Sequence, residues 1–131
     1  MISRVLETKA FQVGEAFSKS LKTSPSSHTL FLVGLDFAFG PNYEVVIVGD
    51  LNSDETKEML AALRRNYIPN MVVIHRPIQE KPDILSICPF IKNMGPVEQK
   101  ATAFVCHDYI CELPTNDIDK MLELLGAKKM G

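Results

Sequence analysis

"YEVVIVGDLNSDETKEMLAALRRNYIPNMVVIHRP", residues 43–77, holds two short apolar runs with a helix-patterned segment between them. The runs at 43–50 and 70–77 are continuous rather than alternating and rich in Val and Ile. That pattern predicts strands buried on both faces of a parallel sheet. Between them, Asn52 or Ser53 can cap a helix, and Asp54 and Glu55 complement its dipole. Met59, Leu60, Leu63 and Tyr67 share one face of it. A strand, a helix and a second strand of this length form a βαβ unit with parallel strands and a right-handed crossover.

Upstream, Leu6, Ala10, Val13, Phe17 and Leu21 recur at three- and four-residue spacing, which predicts a helix over 3–22. "TSPSS" at 23–27 breaks it, with Ser24 or Ser26 as a cap and Pro25 suited to the first turn of a second helix. Leu30, Val33, Gly34, Phe37 and Ala38 continue at helical spacing, and Gly40 and Pro41 supply the stop.

Downstream, 77–100 carries four of the eight prolines and reads as a long connection with one helical turn near Ile84 to Ile87. Connections of that length in a compact domain tend to be functional or to lie against a partner. "ATAFVC" and "YICEL" predict two strands joined by a tight turn near His107 and Asp108. A last helix follows, capped by Thr115 or Asn116, with Ile118, Met121, Leu122 and Leu125 apolar and Gly126 as its end. The expectation is one α/β domain over 1–131: a helical hairpin at 1–41, then a small mixed sheet at 42–131 in βαβ-ββα order. That order suits a thioredoxin-like sheet whose middle helix is replaced by the connection, or a small Rossmann-like one.

At "PNYEVVIVGD", "LRRNYIPNMVVIHRP" and "ATAFVCHDYICELP" the chain resembles the C-terminal end of the YyaL-type family, the spermatogenesis-associated thioredoxin-domain proteins. The resemblance runs from about residue 23 to 125, and its most specific piece is A-T-A-[FY]-V-C-x4-C-x2-P, matched by Ala101 to Pro114. It implies a larger protein, with a thioredoxin-like domain and an α/α barrel ahead of a tail like this one. The first two helices then correspond to the last hairpin of the barrel, the partner is the remainder of the same polypeptide, and the isolated chain self-associates. The family's C-x-x-C and the barrel's inward-facing acidic residues have no counterpart here, so neither activity carries over. Enzymatic activity is not expected of this chain alone.

Composition excludes several classes. A net charge of -2 with 23% charged residues gives no electrostatic footprint for nucleic acid or an anionic membrane. No apolar run approaches a membrane span, and the amphipathic opening "MISRVLETKAFQVGEAF" is no signal peptide, so a cytoplasmic location is expected. Three cysteines do not make a secreted disulfide framework.

Cys106 and Cys111 flank a four-residue turn, so a hairpin can set them opposite each other at a Cα separation of about 5.5 Å, as a redox pair. The competing reading is two small buried hydrophobes. Cys88, Cys106, His107 and Cys111 offer a weak Cys3His set without the paired C-x2-C spacing of strong zinc signals, and no metal or cofactor is expected. Asp50, at the carboxyl end of the first strand, and His75 and Arg76, at the end of the second, mark the edge where open α/β sheets bind ligands. No nucleotide fingerprint accompanies them, and "GDLNSDE" has no cysteine where a thioredoxin-type site places its C-x-x-C. His28 has no evident catalytic partner in the sequence.

Overall fold

The computed structural model describes residues 4–78, 83–108 and 110–127. Part of the proline-rich connection (79–82) and Tyr109 of the predicted hairpin lie outside them. The chain divides into two compact units, Met1–Gly40 and Pro41–Gly131.

The first unit is a helical hairpin, α1 (Arg4–Thr23) and α2 (Thr29–Phe39), joined by a 3-10 turn at Pro25–His28. Pro25 stands at the start of that turn, where its missing N–H leaves nothing unsatisfied, and Ser24 and Ser27 bond each other through their hydroxyls at 2.8 Å. Gly40 ends α2 at φ 72, its N–H donating to the Asp36 carbonyl. With ψ at -176 this is a backbone conformation that essentially only glycine adopts. Phe17 packs on Phe31 with ring centroids 5.9 Å apart, yet no described side chain of the hairpin is buried.

The second unit is a four-stranded sheet in the order β2-β1-β3-β4. β1 (Tyr43–Val48) runs parallel to β2 (Met71–Arg76), with α3 (Asp54–Arg65) between them in the chain. β3 (Thr102–His107) lies antiparallel to β1, and β4 (Ile110–Cys111) antiparallel to β3. The antiparallel β3 beside β1 is what a doubly wound parallel sheet lacks. The architecture is α/β and consistent with a thioredoxin-like fold.

β1 is the centre of the core, with Val45, Val46, Ile47 and Val48 all at 0% exposure. Its odd-numbered side chains meet α3 and α5 (Ile118–Leu124): Val45 and Ile47 cluster with Met59, Leu63, Ala103, Val105, Met121 and Leu125. Its even-numbered ones, Val46 and Val48, meet Ile91, Ile84, Leu85, Cys88 and Met94 from the connection. So the connection is the second covering layer of the sheet, built from α4 (Ile84–Ile87) and 3-10 turns at Pro89–Asn93 and Val97–Gln99.

The reading of β2 as a strand buried on both faces needs correction. β2 is an edge strand, and Val72 and Val73 are 41% and 39% exposed. A continuous apolar run reports strand propensity, not which strand is central. The cap of the last helix also moves. Asp117 accepts from the Lys120 N–H at 2.9 Å, because Thr115 still exchanges both backbone bonds with Ala103 and Asn116 ties the Ala101 carbonyl at 2.8 Å.

Candidate functional site

The residues singled out in the sequence fall at opposite ends of the sheet. At the carboxyl end of β1, the chain turns through Gly49 and Asp50 into α3. The Asp50 carboxylate accepts from the Asn52 backbone N–H at 2.9 Å, and Ser53 caps α3 by accepting from the Thr56 N–H at 3.2 Å. Asp50 therefore shapes the turn. His75 donates from Nε2 to the Gly49 carbonyl at 2.9 Å, and Arg76 donates from Nη2 to the Lys92 carbonyl at 3.2 Å. The buried Arg76 Nε has no partner among the described residues. Neighbours in a strand point to opposite faces, so His75 serves the α3 side of the sheet and Arg76 the connection side. The three share an edge, and each bonds its own nearby backbone.

At the other end stand the cysteines. Cys106 and Cys111 are opposite each other in the β3–β4 ladder and are joined by a disulfide with Cα atoms 3.9 Å apart. The separation is shorter than expected because the flanking pair, Val105 and Glu112, carries the ladder bond (Glu112 N–H to Val105 carbonyl, 2.9 Å). Cys106 and Cys111 thus occupy the non-hydrogen-bonded position, where facing residues come closest. Their surroundings differ: Cys106 is 2% exposed, and Cys111 is exposed on the two-residue edge strand.

His107 follows Cys106 on the opposite face, its Nδ1 3.0 Å from an Asp108 carboxylate oxygen and its ring edge-on to Tyr43 at 5.8 Å. Cys88 is the free cysteine of the described residues and packs with Val46 and Val48. Cys106 is level with Glu44 and Arg76 with Val48, so the two ends lie roughly 13 Å apart along the strand. Among the described residues, no three His, Cys, Asp or Glu side chains gather as a metal set.

Two features escaped the sequence reading. Glu44 is the register partner of Cys106 on β1 and shares its face. A lone acid in an apolar run is the signal for it, but the neighbour that gives it meaning arrives from β3. His28 is the other: its Nε2 lies 2.9 Å from the Ser20 hydroxyl, and its ring lies against Phe17.

Two depressions lie on the surface of the described residues. A crevice of about 120 Å³ is lined by Glu55, Glu58, Met59, Lys100 and Asn116, and a groove of about 510 Å³ by Asn66, Asp117, Asp119, Lys120, Leu122 and Glu123. The first is below the size of a small-molecule site, and neither includes a cysteine, Asp50, His75 or Arg76. No helix among the described residues is long and apolar enough to cross a membrane.

The chain is similar to spermatogenesis-associated protein 20 of Homo sapiens and of Rattus norvegicus, each 27% identical over 110 residues, 84% of this chain and 14% of the relative. It is also similar to an uncharacterized protein of Caenorhabditis elegans, 29% identical over 120 residues, 90% of this chain and 16% of that protein. The chain spans about a seventh of the length of the first of these relatives. No family model matches it, and no solved structure does.

Proposed function

We propose that this chain is a non-catalytic structural and interaction module, the C-terminal portion of a larger cytoplasmic protein of the YyaL type, in which α1 and α2 close an α/α barrel of the same polypeptide. The observation that carries this reading is α2. Its sequence "TLFLVGLDFAF" is apolar almost all round, yet it has no buried residue, and Leu30, Val33 and Phe39 are 84%, 62% and 80% exposed. A helix that is apolar on every side belongs inside a larger body. α1 adds Phe11 at 73% and Leu6 at 60%, and isolated apolar surface on this scale marks a protein interface. The small share of the relatives' length that this chain matches supports a larger parent, whose remainder is the occupant of that surface.

Deprived of that remainder, the hairpin covers itself with a second copy. Light scattering on the purified chain from micromolar to hundreds of micromolar tests this. The expected result is a mass above the monomer that rises with concentration and returns to the monomer in a Leu30→Glu/Phe39→Glu variant. A monomer at every concentration refutes the reading.

A further inference from the structure

The disulfide is asymmetric in the one respect that decides its reactivity. Thiol–disulfide exchange needs a thiolate to reach one of the two sulfurs and the other to leave. Cys106 is 2% exposed on β3, a strand hydrogen-bonded on both sides, whereas Cys111 is exposed on β4, which among the described residues is the last strand on its side of the sheet. Of the two residues, Cys111 is the one open to solvent.

From this placement we infer that Cys106–Cys111 is a thiol–disulfide exchange site for low-molecular-weight thiols, with Cys111 as the attacked sulfur and Cys106 as the leaving and resolving sulfur. The thiolate RS⁻ forms a bond to Cys111 Sγ as the Sγ–Sγ bond breaks. The electron pair departs on Cys106 Sγ, which takes up, through solvent, the proton that RSH gave up. A second RSH attacks the R-bearing sulfur of the mixed disulfide and leaves Cys111 as a thiol with RSSR as product. Two thiols are oxidised and one protein disulfide is reduced. In the reverse direction Cys106 loses its proton, attacks Cys111 Sγ and expels RS⁻.

Glu44 is level with Cys106 on the neighbouring strand. A negative charge there opposes a thiolate on Cys106 and so slows its departure when the bond opens. The inference goes beyond the module reading and does not depend on it, because neither sulfur belongs to the helical unit Met1–Gly40.

The test uses the full chain with Cys88→Ser, which removes the free thiol, and reduced glutathione as the probe. After acid quenching, peptide mapping by mass spectrometry locates the mixed disulfide, with far-UV circular dichroism confirming that the sheet stays folded. The adduct is expected on Cys111 alone. With oxidised glutathione, the Cys106→Ser variant is expected to form its adduct at least tenfold faster than Cys111→Ser. An adduct on Cys106, equal rates in the two variants, or opening of the bond only at denaturant concentrations that unfold the sheet overturns the assignment. The mapping in the chain that retains both sulfurs decides the matter even where a single-cysteine variant fails to fold.

Discussion

Gly49 joins β1 to α3, and a single methyl group there tests how tightly that junction is built. A Cβ on Gly49 collides with the Thr56 hydroxyl and comes within 3.3 Å of Thr56 Cβ and 3.4 Å of Ala101 Cβ. Thr56 is 0% exposed and held twice: its hydroxyl accepts from Ser53 at 2.8 Å, and its N–H donates to the same Ser53 oxygen. It cannot swing away without opening the cap of α3. Overpacking a closed site costs about 1–3 kcal/mol. Loss of the cap adds about 1 kcal/mol, so Gly49→Ala is expected to destabilise the sheet unit by about 3 kcal/mol. Thr56→Ala removes the obstructing oxygen, and the double variant should recover about 1.5 kcal/mol relative to the sum of the single ones. Hydrogen exchange at the β1 amides reads the stability of this unit without the signal of α1 and α2. A Gly49→Ala protein within 0.5 kcal/mol of the parent, or single-variant effects that simply add, refutes the packing argument.

Three further outcomes follow from the same structure. Reduction of Cys106–Cys111, or Cys111→Ser, opens a loop of sequence separation 5 and should lower stability by about 2 kcal/mol on the chain-entropy relation; the exchange rates of the β3 amides measure it, and no change would count against the closed loop. Met121→Ala empties a fully buried site between α5 and the sheet and should cost about 2–5 kcal/mol in a urea titration of the β1 amides, a cost under 1 kcal/mol showing that α5 does not hold the core. Glu44→Gln removes the charge on the strand neighbour of Cys106 and should speed glutathione opening of the disulfide roughly twofold to fivefold; an unchanged rate places Glu44 outside the reaction's field.

What could be read from the chain beforehand follows local physics. The βαβ segment was legible because "VVIV" and "MVVI" are short, β-branched runs bounded by turn residues and α3 carries its own cap, charges and apolar face. The hairpin was legible from the periodicity of Leu6 to Leu21 and the breaking "TSPSS". The choice between a thioredoxin-like and a Rossmann-like sheet was open, since it turns on the direction of β3 beside β1, a pairing between distant parts of the chain. For the same reason no local pattern showed that β2 is an edge, that Asp117 takes over as cap once Thr115 is bound to Ala103, or that Glu44 faces Cys106. The sequence allowed a hairpin to set the cysteines opposite each other but left its register open, and which of the two alternating pair types they occupy depends on one residue of register.

The order of the strands has a consequence during synthesis. β1 leaves the ribosome long before β3, yet β3 covers one of its two edges and supplies Ala103 and Val105 to the layer above it. While the ribosome translates the segment up to Lys100, the nascent βαβ unit presents β1 as a bare apolar edge, the kind of surface on which unfinished chains associate. The Thr102–His107 strand ends that exposure, so a message truncated just before it yields a product prone to aggregation rather than a smaller folded domain.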